Sequence, residues 1–256
     1  MPRKSPAQLD REIAHALSTR HARQKRSAHA TRATPTIVNR DQISSRTLAA
    51  LGGELDDAAD RAVAAGAVGD LEYQGAGATG IVFCDERGTA YKVARPGPSR
   101  EDSVAQEAEW MSKAAQVPGV REHVVRNARY DRKHKVLIRE CVRGKVGTSR
   151  DTSKLFDMHK DIRKAMTPYG WLSPEFKEDS YVVARGRGSV LVDASSALRV
   201  GGELVRYAQD VLAGRRPQTE RLEDIAFTIR HERGGSIPER VADTLLAKLR
   251  ARGIDT

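Results

Sequence analysis

Three glycines and a lysine stand close together in the sequence and have the chemistry to bind phosphate groups. Gly75, Gly77 and Gly80 have the spacing G-x-G-x-x-G in the stretch YQGAGATGIVF, and Lys92 follows in the stretch TAYKV. A glycine-rich bend exposes backbone N–H groups to a phosphate, and a lysine neutralises phosphate oxygens. Two unrelated nucleotide-binding devices share this spacing, so the elements around the glycines must distinguish them.

The residues after the third glycine predict a strand. In a dinucleotide-binding Rossmann unit the last glycine opens a helix whose N-terminus faces the pyrophosphate. Here residues 81–84 are β-branched and aromatic, residues 85–88 are typical of a turn, and residues 89–93 predict a second strand. The glycines therefore precede a β-hairpin, with Val82 on its first strand and Lys92 on its second.

A hairpin with a glycine-rich first bend and a lysine on its second strand resembles the protein-kinase-like superfamily. T-A-Y-K, which ends in Lys92, stands where that family has V-A-I-K, and Val82 follows the glycines as it does there. The resemblance implies that Lys92 contacts nucleotide phosphates and is held by a glutamate of the next helix. Residues 100–115 have helical periodicity. We expect Glu107 to be that glutamate, with Glu109 as the alternative.

The stretch that follows resembles the strands before the family's hinge. Residues 123–125 and 135–138 are apolar and are expected to form strands. A plain antiparallel sheet would have the same pattern, but the order of these strands after a glycine loop favours the resemblance. It implies that residues 140–142 are the hinge, where Glu140 and Val142 bind the adenine.

A second group of polar residues resembles the family's catalytic loop and metal site. The stretch GWLSPEFKEDSYVV is similar to G-I-V-H-G-D-L-K-P-E-N-I-L-V, and V-D-A-S falls where D-F-G belongs. The resemblance implies that Asp193 and Ser180 bind Mg²⁺ or Mn²⁺ and that Glu175 positions an acceptor hydroxyl. Lys177 would neutralise the transferred phosphoryl group of ATP.

Three positions of this loop depart from the family pattern. Ser173 replaces the histidine, Glu175 replaces the catalytic aspartate, and Ser180 replaces the metal-binding asparagine. Glutamate keeps the carboxylate but moves it by one methylene, which costs rate when geometry matters. A serine hydroxyl is a weaker ligand for a second metal ion than the asparagine amide.

Two functions stay open on these grounds. One is an ATP-dependent phosphotransferase that modifies a hydroxyl of a protein, of itself or of a small molecule. The other is a pseudokinase that binds nucleotide or serves as an interaction module. Nucleotidyl transfer is a further reaction that the same fold would support, and fold alone does not decide among them.

His159-Lys160-Asp161 offers a competing match to the catalytic motif H-R-D. The position five residues after Asp161 is Met166, which cannot bind a metal ion. We therefore expect His159 and Asp161 to lie on the helix SKLFDMHKDIRKAM, before the catalytic loop.

The positive charge is concentrated at the N-terminus. The net charge is +10, and residues 1–46 hold ten lysines and arginines against three acidic residues. Such a segment binds nucleic acid or another acidic partner, or is a solvated basic extension. The absence of any aromatic residue before Tyr73 favours the solvated extension. A helix is expected at about residues 6–25.

Composition limits the class of protein. With 39% hydrophobic and 30% charged residues the chain can bury a sizeable core. We expect no membrane partner and a cytoplasmic location, because neither an apolar run near 18 residues nor a secretory signal is evident. Cys84 and Cys141 form no C-x-x-C motif, and we expect both to be small buried side chains and not a disulfide.

The expected fold class is α+β. The resemblance implies a two-lobed protein-kinase-like fold, with a small antiparallel β lobe, a helical lobe and a helical basic N-terminal extension. The expected divisions are residues 1–70 for the extension, 71–142 for the N-lobe and hinge, and 143–256 for the helical C-lobe. A helix is expected at residues 45–65, and only helices after Ser195.

Overall fold

The hairpin that carries the glycines belongs to a five-stranded antiparallel sheet. The computed structural model describes residues 37–215 and 222–255 of this α+β protein. The strands are β1 (Glu72–Ala76), β2 (Gly80–Cys84), β3 (Thr89–Ala94), β4 (Arg129–Asp131) and β5 (Val136–Glu140), in the order β1-β2-β3-β5-β4. The predicted hairpin and the strand at residues 135–138 are thereby confirmed.

One face of this sheet is covered by helix α1 (Ser45–Ala64). Ser44 caps the helix, because its hydroxyl accepts a hydrogen bond from Thr47 N at 3.2 Å. Leu55 of the helix is buried in a shared apolar cluster with Phe83 and Val93 of the sheet. The expected helix at residues 45–65 is confirmed. Because successive residues of a strand point to opposite faces of the sheet, only every second strand residue faces this helix.

The opposite face of the sheet meets helix α2 (Pro98–Ala114), which confirms the helix expected at residues 100–115. Val104, Ala108 and Met111 are buried on its inner side.

The remaining elements are β6 (Gly144–Val146), α3 (Thr152–Met166), β7 (Trp171–Leu172), β8 (Tyr181–Ala184), β9 (Gly188–Leu191), β10 (Leu198–Arg199), α4 (Gly202–Leu212), α5 (Leu222–His231) and α6 (Glu239–Arg250). Strands β6, β8 and β9 form a small antiparallel sheet, and β7 pairs with β10.

Two expectations about strands are wrong. Residues 123–125 form no strand, since within them only Val124 makes an isolated bridge, to Leu191. Both valines there are fully buried, so their apolar character reflects core packing and not strand pairing. The chain after Ser195 is not only helical, because β10 follows and its Leu198 pairs with Leu172.

The expectation for the cysteines is also wrong, because Cys84 and Cys141 form a disulfide with their Cα atoms 5.8 Å apart. The sheet explains the contact. Cys84 is the last residue of β2 and pairs with Ala90, while Cys141 follows β5 and donates its N–H to the carbonyl of Gly88. Both cysteines therefore reach the same end of β3, although 57 positions separate them in sequence.

Part of the predicted N-terminal extension lies outside the described residues. This holds for the helix expected at residues 6–25 and for residues 1–36 of the basic segment 1–46. No helix within residues 37–215 and 222–255 is both long and apolar enough to cross a membrane.

Candidate active site

The glycine-rich turn between β1 and β2 is fixed by hydrogen bonds to its own backbone. Gly77 N donates to Gly80 O at 2.9 Å, and Arg95 Nε donates to Gly77 O at 2.9 Å. A Cβ atom at Gly80 would lie 2.7 Å from the carbonyl oxygen of Val93, whereas one at Gly75 or Gly77 would meet nothing within 4 Å. Gly80 is therefore required by close packing against β3, and the other two glycines border open space.

Lys92 lies between two carboxylates. Its Nζ atom is 2.6 Å from Glu107 Oε2 and 3.2 Å from Asp193 Oδ1. The Lys92 side chain is 4% exposed and that of Glu107 is fully buried. Glu109, the alternative partner, instead forms an ion pair with Arg199. The structure thus brings Lys92, Glu107 and Asp193 together.

Strand alternation and helix register place these three groups. Lys92 precedes Val93 on β3, so its side chain points away from α1 and toward α2, where Glu107 lies. Asp193 follows β9, and its Oδ1 accepts a hydrogen bond from Ser195 N at 2.9 Å. Ala194 N donates to Glu107 Oε1 at 3.3 Å, which links the segment after β9 to the helix.

The ionisation of the cluster follows from burial and from the opposed charges. Burial disfavours the ammonium of Lys92, but the carboxylates of Glu107 and Asp193 outweigh it and raise the Lys92 pKa above its usual value. Burial likewise opposes the charge on Asp193. The Lys92 ammonium and the Ser195 N–H overcome that effect, and the pKa of Asp193 lies below its usual value. Complete burial raises the pKa of Glu107 above its usual value, and the Lys92 ammonium acts against this effect. Lys92 and Asp193 both stay charged near neutral pH.

A cavity of about 570 Å³ opens next to this cluster. This volume is typical of a small-molecule site. The glycine turn, Lys92 and Asp193 line one part of it, and Val82, Ala90, Val142, Val182 and Val192 line an apolar part. The cavity thus has a polar region that suits phosphate groups and an apolar slot that suits a planar ring.

The three predicted residues of the catalytic loop also line the cavity. Glu175 N donates to Ser196 Oγ at 2.8 Å, which fixes the backbone of the loop. Ser180 ends a short 3₁₀ helix, and its carbonyl oxygen accepts from Val192 N at 2.8 Å. Lys177 is exposed and also lines the cavity. Glu175, Lys177 and Ser180 are therefore on the same cavity as Asp193.

Of the two predicted hinge residues, one lines the cavity and the other does not. Val142 lines the apolar slot. Glu140 is not among the lining residues, because its carboxylate forms an ion pair with Arg187. The backbone oxygen of Glu140 accepts a hydrogen bond from Arg139 Nη1 at 3.1 Å.

Arg139 is a cavity residue that the sequence pattern did not predict. It lines the cavity, is 6% exposed, and its Nε has no hydrogen-bond partner among the described residues. Burial lowers the pKa of this guanidinium, while Glu107 and Asp193 act against the effect. A signal for it existed, since Arg139 directly follows the apolar run VLI on the predicted strand.

His159 is in the position expected for it and outside the cavity. It lies on α3, where its Nδ1 is 2.6 Å from the hydroxyl of Tyr181. The structure therefore confirms that the H-K-D stretch is helical.

The oxygen ligands for a metal ion are few. Within residues 37–215 and 222–255 no group of three or more histidine, cysteine, aspartate or glutamate side chains could hold a metal ion by itself. Asp193 and Ser180 offer one carboxylate and one hydroxyl on the same cavity. A carboxylate and a hydroxyl are oxygen ligands of the kind that Mg²⁺ takes, together with several waters and substrate phosphate oxygens.

No protein-family model matches this chain, and no curated protein matches it in sequence. The chemistry of the site therefore rests on its own geometry.

Proposed function

We propose that this protein is a nucleotide-dependent phosphotransferase with the two-lobed fold of the protein-kinase-like superfamily. The order of its elements supports the fold: a glycine turn between β1 and β2, a lysine on β3, a glutamate on the next helix, and an aspartate after the β8–β9 hairpin. In the proposed fold the five-stranded sheet with α1 and α2 is the small lobe. The helices after β5 form the second, helical lobe.

One observation carries the proposal. Lys92 is paired with Glu107 at 2.6 Å and with Asp193 at 3.2 Å, on a cavity that the glycine turn also lines. A buried ion pair is expensive to form and gives little net stability, so a lysine held by two carboxylates at a cavity favours a functional role.

The chain's own residues would bind and orient the donor. Backbone N–H groups of the glycine turn, residues 75–80, would face the phosphates of ATP, and Lys92 would contact their oxygens. Glu107 would keep Lys92 in place. Val82 and Val182 would enclose the base from its two faces.

The transfer step would use Glu175 and Lys177. The acceptor hydroxyl oxygen forms a bond to the terminal phosphorus, and the bond from that phosphorus to the bridging oxygen breaks, so that the nucleoside diphosphate leaves. The hydroxyl proton moves to the Glu175 carboxylate, and Lys177 offsets charge on the phosphoryl group. Asp193 and Ser180 would hold Mg²⁺, which neutralises phosphate charge when bound.

Intact-mass spectrometry tests this proposal. The purified protein is incubated with ATP and Mg²⁺, beside Lys92→Met and the control Lys135→Met. Lys135 forms a more exposed ion pair with Glu101 of the same helix that carries Glu107, at 3.1 Å. We expect the wild type and the control to gain the mass of a phosphoryl group and Lys92→Met to gain none. Gain of an adenylyl mass, or equal gain by Lys92→Met, would overturn the proposal.

The second candidate, a pseudokinase, is favoured by the loop that lines the cavity. Glu175 and Ser180 occupy the positions at which the family has its catalytic aspartate and metal-binding asparagine. Tight nucleotide binding without any transfer would support this candidate. A nucleic-acid role for the basic segment 1–46 predicts binding that weakens steeply with salt and is lost when that segment is deleted.

A further inference from the structure

A charged side chain stands on the face of the sheet that borders the apolar slot. Arg139 on β5 pairs with Ala90 on β3, and Leu137 pairs with Lys92. Directly paired residues point to the same face of a sheet, as do residues two apart on one strand. Arg139, Ala90 and Lys92 therefore share one face, with Arg139 beside the slot and Lys92 beside the glycine turn.

The environment of Arg139 leaves part of its guanidinium without a partner. The side chain is 6% exposed, Nη1 donates to the carbonyl oxygen of Glu140 at 3.1 Å, and Nε has no partner within the described part of the chain. A buried polar group without a hydrogen bond is destabilising. A ligand that accepts hydrogen bonds at this position would remove that penalty.

The slot beside Arg139 suits a planar ring. Val82 and Ala90 come from β2 and β3 on one side, and Val182 and Val192 come from β8 and the residue after β9 on the other. All four side chains are apolar. Of the directly paired residues Ala90 and Arg139 beside this slot, only Arg139 can donate hydrogen bonds from its side chain.

An arginine side chain has five N–H donors and no acceptor. Guanine presents two acceptors on one edge, O6 and N7, and arginine binds them in a bidentate manner. Adenine presents an N–H₂ donor at position 6, which would face the N–H donors of the Arg139 guanidinium. The edge chemistry therefore favours a 6-keto purine.

We propose that Arg139 makes this site selective for guanine nucleotides over adenine nucleotides. The inference rests on the proposed function for the position of the phosphates, and it changes the expected donor from ATP to GTP. One bidentate arginine contact discriminates bases by about 5- to 150-fold in the dissociation constant.

Nucleotide binding measured without transfer tests the selectivity. Isothermal titration of the wild type with GDP, IDP and ADP, each with Mg²⁺, compares three bases at the same phosphate charge. IDP keeps O6 and N7 but lacks the 2-amino group of guanine. We expect GDP and IDP to bind alike and ADP to bind about 5- to 150-fold more weakly. ADP binding as tightly as GDP would overturn the inference.

Variants separate a specificity role from a structural one. Arg139→Met removes every donor at similar length, and the ratio of ADP to GDP dissociation constants should fall to about 1. Arg139→Gln should favour ADP, because glutamine matches N6 and N7 of adenine. Arg187→Met is the matched control, since Arg187 pairs with the Glu140 carboxylate outside the cavity lining and should leave the ratio unchanged. A ratio that stays the same in Arg139→Met and Arg139→Gln would contradict the inference.

Binding and transfer have distinguishable outcomes. Preference for GDP with no phosphoryl transfer from GTP or ATP would support the role of Arg139 and contradict the proposed phosphotransferase. Transfer with equal use of ATP and GTP would support the proposed phosphotransferase and contradict the role of Arg139. Failure of all three diphosphates to bind would contradict both.

Discussion

Lys92 Nζ and Glu107 Oε2 are 2.6 Å apart, and both side chains are almost completely withdrawn from solvent. The pair joins the strand of the glycine hairpin to helix α2. Asp193, on a segment that follows β9, contacts the same ammonium at 3.2 Å. This relationship makes the position of Lys92 depend on a helix and on a distant loop at the same time.

Removing the charge of Glu107 should destabilise the fold. Glu107→Gln keeps the shape but leaves the buried Lys92 ammonium with Asp193 alone, and we expect the free energy of unfolding to fall by about 3 kcal/mol. The control is Glu109→Gln on the same helix. The Glu109 carboxylate is half-exposed and pairs with Arg199, so this change should lower the free energy of unfolding by less than about 1 kcal/mol. Urea unfolding measures both, and equal losses would contradict the role assigned to the buried pair.

A methyl group at Gly80 should disturb the site. In Gly80→Ala the new Cβ would lie 2.7 Å from Val93 O and 3.2 Å from Lys92 Cγ, so β2 and β3 must separate. We expect a loss of about 1 to 3 kcal/mol in the free energy of unfolding and weaker nucleotide binding.

Gly77→Ala is the matched change for this experiment, because its Cβ would meet nothing within 4 Å. Thermal unfolding and nucleotide titration of the two variants give the comparison. If Gly77→Ala were the more destabilised of the two, the packing argument for Gly80 would be wrong.

The disulfide should contribute to stability. It closes a loop across 57 positions, and the chain-entropy estimate for such a loop is about 4 kcal/mol. We expect Cys84→Ser together with Cys141→Ser to lower the free energy of unfolding by about 2 to 4 kcal/mol. Non-reducing mass spectrometry of the wild type should show two hydrogens fewer than after reduction, and an unchanged mass would show that the cysteines are not bonded.

The charge on Asp193 should make the stability depend on pH on the acid side. Its pKa is lowered in the folded protein, so its contribution is present above the usual value of about 4 and is lost as the pH falls through the lowered value. The free energy of unfolding of wild type and Asp193→Asn should therefore differ at neutral pH and converge in acid. A difference that stays constant down to about pH 3 would contradict the ion pair with Lys92.

Much of the secondary structure was predictable from short-range patterns. The β-branched and aromatic residues at 81–84 and the turn at 85–88 predict the hairpin of β2 and β3, because such side chains pack well on a pleated, half-buried surface. Helix α2 followed from its apolar spacing. These features depend on neighbours in sequence, which is why they could be read from one chain.

The features that were missed depend on contacts between distant residues. The pairing of β3 with both β2 and β5 brings Cys84 to Cys141, and no local pattern records that register. The role of Arg139 likewise depends on which face of β5 meets the cavity. Val124 and Val125 resemble a strand in sequence because burial in a core and burial in a sheet select the same residues.

The most direct test of the phosphotransferase is the rate at which nucleoside diphosphate forms from GTP and from ATP, in the presence of Mg²⁺, with wild type and Asp193→Ala. The account predicts diphosphate formation by the wild type and a loss of about 100-fold or more in Asp193→Ala, because that variant removes the carboxylate that contacts Lys92 and that is proposed to hold Mg²⁺. Equal rates in the two proteins, or no diphosphate from the wild type with either nucleotide, would contradict it.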